Sequence, residues 1–251
     1  VNATGQVASF TGGLSGLYTV SLGDDSVPVG IKASMAVGGP DRLAFDYSLS
    51  SSTQPDNRVQ GQVVAISDKL YIKAPGQEWV AQPVANPSSG NSMVAGLLAG
   101  LTGGNVQTLP LGDMFGEIML PTREALAKMY EQGLIAGLDD LGSKEKDGRQ
   151  LQGYRLTVDP VRFAYYYSNL GGADPKAQGQ VLDNVQSLGL SSEYWVSPED
   201  HVVYASSIDL SLAMKSYAEA PEAARFTLTL TEQLTSVNQP VEITPPVSAT
   251  N

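Results

Sequence analysis

Apolar and polar residues alternate with a period of two along most of the first eighty residues. In residues 29–37 ("VGIKASMAV") the apolar residues of one parity are Ile31, Ala33, Met35 and Val37. In residues 42–52 ("RLAFDYSLSSS") they are Leu43, Phe45, Tyr47 and Leu49. Turn sequences rich in Gly, Pro and Asp interrupt the alternation about every ten residues, which is typical of an antiparallel meander.

The same alternation returns near the end of the chain. Residues 149–159, 201–214 and 225–235 read as strands, and 237–246 ("VNQPVEITPP") reads as a short edge strand stopped by proline. The last strands need partners from the first half. We therefore expect a single domain over 1–251, with polar tails at 1–12 and 245–251.

The middle of the chain has helical spacing instead. Residues 121–141 carry an apolar stripe with a period near 3.6, and it consists of Leu126, Met129, Tyr130, Leu134, Leu138 and Leu141. We predict further helices at 159–170 and 176–190, with a charged loop at 142–148. This pattern predicts an α+β fold, in which a single curved antiparallel β-sheet (a half-barrel) has helices packed on its concave apolar face.

Charge and composition narrow the class of partner. The chain has a formal net charge of −11, which disfavours binding to nucleic acid or to anionic lipid headgroups. The longest apolar run, 93–101, is far shorter than the roughly 20 residues of a membrane-spanning helix, so no transmembrane segment is expected. The chain opens at Val1 without a Met, and its composition resembles that of exported surface proteins. We expect an exported protein of the cell envelope or cell surface, from which a signal sequence or anchor has been removed.

Few residues offer catalytic chemistry. His201, the single histidine, follows the turn sequence Ser-Pro-Glu-Asp and falls on the polar parity of its strand, so we interpret it as a solvent-facing hairpin residue. There is no G-x-S-x-G motif, no cysteine and no calcium-loop spacing in the acidic pairs 24–25, 139–140 and 199–200. Spacing alone leaves open a carboxylate pair drawn from different strands. We expect no enzyme activity, no cofactor and no metal.

Three stretches resemble the LppX/LprG-type envelope lipoproteins, which share the lipoprotein-carrier (LolA/LolB-like) fold. They are "VVAISDKLYIKAPGQEWV", "EYWVSPEDHVVYASSIDL" and "LTSVNQPVEITPP". The resemblance implies a non-enzymatic protein with an apolar cavity, between sheet and helices, that accepts acyl chains. By position, cavity wall or lid would be supplied by Met93, Val94, Leu97, Leu98, Leu101, Met114, Phe115 and Ile118. The alternative is that these residues fill an ordinary core. The family's anchoring cysteine is missing here.

Two functions follow as hypotheses. The first is a cell-envelope protein that binds lipid or lipoprotein acyl chains in an apolar cavity. The second is a structural subunit of an extracellular surface assembly, such as a filament, a layer or an envelope complex, in which protein partners or self-assembly replace the lipid. A hydrolase ranks third, because no nucleophile and base are paired in the sequence.

Overall fold

The computed structural model describes residues 7–39, 41–51, 58–83, 123–159, 161–162, 185–216 and 223–247. Within these ranges the elements are β1 (Phe10–Leu22), β2 (Asp25–Val37), β3 (Arg42–Ser51), β4 (Arg58–Ile66), β5 (Lys69–Lys73), β6 (Val80–Pro83), α1 (Arg123–Glu131), β7 (Ile135–Lys146), β8 (Arg149–Val158), β9 (Val185–Val196), β10 (Val203–Met214) and β11 (Ala224–Val237). None of the described helices is long and apolar enough to cross a membrane.

All eleven strands belong to one antiparallel sheet. Its order is β6-β5-β4-β3-β2-β1-β11-β10-β9-β8-β7, so each half of the chain forms a meander of sequence neighbours. The two meanders meet where β1 pairs with β11, from Leu22 opposite Ala224 to Phe10 opposite Val237. Strands β6 and β7 are the two edges.

The strand register divides the side chains between two faces, because directly paired residues lie on the same side of a sheet. One face, called here the apolar face, carries Tyr18 of β1, Leu228 of β11, Leu210 of β10 and Leu190 of β9 in one cross-strand row. The opposite face, called the polar face, carries Thr, Ser, Asp and Lys at the alternate positions of the same strands. Period-two alternation thus concentrates apolar burial on one side.

The apolar face forms two buried clusters. The larger one combines residues of β8 to β11, among them the fully buried Ile208, with Met129 of α1 and Leu134. The smaller one lies on β2 to β4 and comprises Met35, Leu43, Phe45, Tyr47 and Val63. A third cluster, at the end of the sheet, joins Leu151, Val202, Tyr204 and Leu234.

The predicted α+β class is wrong for the described part of the chain, which is almost entirely antiparallel sheet with one short helix. The predicted helix over 121–141 stops after nine residues, at Glu131. Gly133 has a φ of 65°, and its amide donates to the carbonyl of Tyr130 while that of Leu134 donates to Met129. This is the Schellman arrangement, in which a left-handed glycine ends a helix, and the following residues become β7.

Three other sequence assignments are also wrong. Residues 185–190, placed in a helix by their spacing, open strand β9. Residues 142–146 of the predicted charged loop belong to β7, and the turn narrows to Asp147 and Gly148, both with positive φ as a two-residue hairpin requires. Residues 238–246 are not a strand, although Ile243 is buried there.

The predicted helix start at Asp159 has the expected cap. The carboxylate Oδ1 of Asp159 accepts hydrogen bonds from the amides of Val161 and Arg162, each at 3.0 Å. Residues 163–170, the remainder of that predicted helix, lie outside the described residues, as do residues 176–184 of the next predicted helix.

Tyr47 supplies a test of the smaller cluster. Its ring lies over Gly61, where a Cβ atom would stand 2.4 Å from the hydroxyl, and that buried hydroxyl has no hydrogen-bond partner among the described residues. Removing an unpartnered polar group from a core removes a desolvation cost. Tyr47→Phe should therefore leave the free energy of unfolding unchanged or raise it by about 1 kcal/mol. Chemical denaturation measures this, and a loss of more than about 1 kcal/mol would show that the hydroxyl is bonded after all.

Candidate functional site

The predicted cavity and lid residues lie outside the described part of the chain. They are Met93, Val94, Leu97, Leu98, Leu101, Met114, Phe115 and Ile118. The role of these eight residues in a cavity wall or lid therefore stays a prediction. What the structure does define is the sheet face against which an apolar ligand could lie.

Exposed large apolar side chains surround the buried centre of the apolar face. They define a set called here the apolar rim, formed by Val20, Leu22 and Val27 at the β1–β2 hairpin, Val59 at the start of β4, Tyr154 on β8, and Val80 and Leu138 on the edge strands. Leu22 and Val27 are each 52% exposed and Leu138 is 65% exposed. Solvated perimeter side chains of this size are surface that a binding partner can bury.

The register makes the rim continuous with the core. Val20 pairs with Val27 on one side and with Phe226 on the other. Phe226 is partly buried and packs on the larger cluster, and its ring stacks on that of Tyr18 at a centroid distance of 6.5 Å. Leu228, the next residue of β11 on this face, is buried. An apolar surface thus passes unbroken from solvent to core at this end of the sheet.

Leu17 is the counterexample that shows how selective this placement is. It is 49% exposed and lies on β1, but on the polar face between Thr229 of β11 and Gly30 of β2. Among the described strands it is the one exposed large apolar side chain on that face. The two faces differ in chemistry although both reach solvent.

A small polar cluster interrupts the apolar face. Glu232, 3% exposed, accepts a hydrogen bond of 3.3 Å from the hydroxyl of Ser206. Ser192 and Tyr194 on β9 are also buried on this face. Burial raises the pKa of Glu232 to about 7, an effect that the Ser206 hydroxyl partly offsets. Burial likewise raises the pKa of Tyr194 to about 12, against a smaller opposite effect of Ser192.

His201 lies in the hairpin turn between β9 and β10, as predicted. It is exposed, has a φ of 57° and donates its amide to the carbonyl of Ser197 at 2.8 Å. The neighbouring Asp200 accepts a 2.7 Å hydrogen bond from Tyr204, whose hydroxyl also accepts one from Arg149 at 3.0 Å. Burial acts to raise the pKa of Asp200, but hydrogen bonds from Tyr204, Val202 and Ser197 outweigh it and leave the pKa lowered. These bonds hold the turn together.

The acidic pairs are dispersed. Asp24 lies in the β1–β2 turn and Asp25 opens β2, whereas Asp139 and Asp140, which fall within the predicted helix over 121–141, lie on strand β7. Within the described ranges, no three acidic or histidine side chains come close enough together to hold a metal ion.

The apolar rim and Glu232 were not predicted from the sequence, although both have a signal there. Glu232 falls on the apolar parity of β11, in line with Leu228, Leu230 and Leu234. An acid in an apolar row predicts either that its carboxyl is buried or that the buried part of the strand ends there. The alternation that continues through Val20 and Leu22 up to the Gly-Asp-Asp turn is the corresponding signal for the rim.

Comparison with known proteins returns structures but no sequence family. No protein-family model and no curated protein sequence matches the chain. The chain is similar to the lipoprotein LppX of Mycobacterium tuberculosis, with 12% identity over 96% of this chain and 92% of that one, at a TM-score of 0.40. LprF of Mycobacterium bovis is 13% identical over 98% of this chain and 94% of LprF, at a TM-score of 0.41. A LolA superfamily protein of Nitrosomonas europaea is 9% identical over 90% of this chain and 86% of that protein, at a TM-score of 0.24.

LppX and the LolA superfamily protein are of the group that the three sequence stretches resemble. All three TM-scores lie below 0.5.

Proposed function

We propose that this chain is a non-enzymatic protein of the cell envelope that binds acyl chains of a lipid or lipoprotein against the apolar face of its sheet. The observation that carries the proposal is the apolar rim. Apart from Leu17, every exposed large apolar side chain on a described strand lies on that face. A ligand that is apolar and flexible can bury this surface without requiring a matching polar group.

The free energy gained by burying the rim side chains supports an acyl ligand. Full burial of a Val or Leu side chain contributes about 1.5–3 kcal/mol, and Leu22 and Val27 are each about half exposed in the free protein. Each of them would therefore contribute about 1 kcal/mol on contact with an acyl chain. A chain that covers several neighbouring rim residues at once would therefore gain several kcal/mol, before the ordering cost.

The eight residues predicted to form a cavity wall or lid keep that role in the proposal. Their segment, 93–118, contains a single pair of charges, Asp113 and Glu117. A methionine- and leucine-rich segment of this kind repacks easily around flexible chains. Export and an envelope location are part of the same proposal.

Leu22→Glu combined with Val27→Glu should weaken binding of an acyl ligand about tenfold or more, since two carboxylates would have to be desolvated by the chain that they face. A fluorescent fatty acid titrated into delipidated protein measures the dissociation constant. Thermal melts should change little, because both side chains are exposed in the free protein.

Leu17→Glu is the matched control, since it places the same charge on β1 but on the polar face. It should leave the affinity within about twofold of the wild type. Absence of binding to the wild type, or equal losses in the control and the double variant, would contradict the proposal. If the wild type instead self-associates and the double variant does not, the rim is an assembly surface and the structural-subunit hypothesis takes its place.

A further inference from the structure

The polar face carries a groove that the acyl-chain proposal does not use. It has a volume of about 800 Å³ and crosses β2, β3, β4 and β5. Three spacings of about 4.8 Å between neighbouring strands give it a width of about 14 Å. At one side stands the turn Ala74–Gln77, in which the amide of Gln77 donates to the carbonyl of Ala74 at 3.0 Å. Pro75 and Gly76, with a φ of 68°, suit the two central positions of a type II turn, so this wall is rigid.

Cationic side chains line this groove although the chain as a whole is acidic. Lys32, Arg58 and Lys73 are among its lining residues, in a protein with a net charge of −11. In the described part of the chain, none of the three forms an ion pair or a hydrogen bond with another side chain. Their charges are therefore available to a ligand.

The single acid of the groove is already engaged. Asp46 accepts a hydrogen bond from Ser34 at 3.4 Å and another from the side-chain amide of Gln62. The lining thus holds three cations against one carboxylate whose oxygens have partners. Its local charge favours an anion.

Uncharged hydrogen-bonding groups lie between the cations. The register places Lys32, Ser48 and Gln60 in one cross-strand row, and Ser34, Asp46, Gln62 and Lys73 in the next. Amide and hydroxyl groups in such rows can donate to and accept from the several hydroxyls of a sugar.

We propose that this groove binds a small polyhydroxylated anion, namely a sugar that carries a phosphate or a carboxylate. The cations take the anionic group, and the Ser and Gln side chains take the hydroxyls. A flat lipid surface fits less well, because the cations lie within a groove walled by the Ala74–Gln77 turn. The proposal is independent of the acyl site, since it concerns the opposite face of the sheet.

The test compares the variant Lys32→Gln/Lys73→Gln with the wild type by calorimetric titration of the whole chain. The probes are digalacturonate, glucose 6-phosphate, neutral cellobiose and inorganic phosphate. We expect at least one charged sugar to bind, about tenfold more weakly in the variant and more weakly at 0.5 M NaCl, since salt screens exposed charges. Lys69→Gln is the matched control, because Lys69 lies on β5 on the same face as Lys73 but does not line the groove. It should stay within about twofold of the wild type.

Each other result overturns a defined part of the proposal. Failure of both charged sugars to bind the wild type below about 10 mM would exclude the site. Equal losses in Lys69→Gln and in the double variant would show a general charge effect. Phosphate binding as tightly as glucose 6-phosphate would exclude recognition of the sugar, and cellobiose binding as tightly as digalacturonate would exclude recognition of the charge. None of these results bears on acyl-chain binding by the rim variants.

Discussion

Glu232→Gln should raise the free energy of unfolding at pH 8 by about 3 kcal/mol, the free energy that corresponds to a pKa raised from 4.5 to about 7. At pH 8 the wild type must fold either with a charged carboxylate buried or with Glu232 protonated. Both alternatives cost free energy. A glutamine of the same shape is neutral at every pH and can still bond to the Ser206 hydroxyl.

The wild-type pH dependence has a definite sign. Between about pH 4.5 and pH 7 the folded protein keeps a proton on Glu232 that the unfolded chain has released. The stabilisation is therefore complete below about pH 4.5, decreases as the pH rises and is lost above about pH 7. The Gln variant lacks this contribution, so the difference between the two proteins should grow over that interval and then level off.

Urea denaturation at intervals of half a pH unit from 4 to 8 measures this difference. Glu145→Gln, an exposed position on edge strand β7, is the control and should follow the wild-type curve. A Glu232→Gln curve parallel to that of the wild type would show that Glu232 is solvated and that the buried polar cluster does not exist as described.

Gly16→Ala should destabilise the protein by about 3 kcal/mol, the upper end of the usual cost of overpacking. A Cβ at Gly16 would stand 2.3 Å from the carbonyl oxygen of Thr229 and 2.5 Å from a methyl carbon of Leu230. The backbone oxygen cannot move without breaking the ladder between β1 and β11, which among the described strands is where the two meanders pair. The strain therefore acts on the pairing of β1 with β11, where the two meanders meet.

Gly13→Ala, on the same strand, is the control. Its Cβ would meet nothing closer than 3.7 Å, so stability should change by less than about 0.5 kcal/mol. Denaturant midpoints of the two variants give the comparison. Equal midpoints would mean that β1 and β11 separate at little cost, contrary to the pairing described here.

The strands of both ends could be predicted from the sequence because period two and turn residues agree there. Where the two signals conflict, the prediction failed. Leu134 and Leu138 fit the 3.6-residue stripe of a helix that begins at Arg123, but their spacing of four also fits a strand. Gly133 decides between them, because its positive φ ends the helix.

The apolar rim could not be predicted because exposure depends on register as well as residue type. Leu17 and Leu22 are alike in chemistry and nearly alike in exposure, yet only the pairing with β2 and β11 shows that they lie on opposite faces. The groove on the polar face was missed for the same reason. Its cations are separated by up to 41 positions in the sequence, from Lys32 to Lys73, and become neighbours only when four strands align.

The join between β1 and β11 also sets the order in which this protein can fold. Phe10 and Val237 pair across almost the whole chain, so this ladder closes a very long loop and is a contact of high contact order. Until β11 has been synthesised, the meander β1–β6 presents β1 as a thirteen-residue unpaired edge. Such an edge is a template for intermolecular strand pairing, so the nascent chain is most prone to aggregate before its last strand emerges. A chaperone that covers β1 during synthesis would act at the step where this topology is weakest.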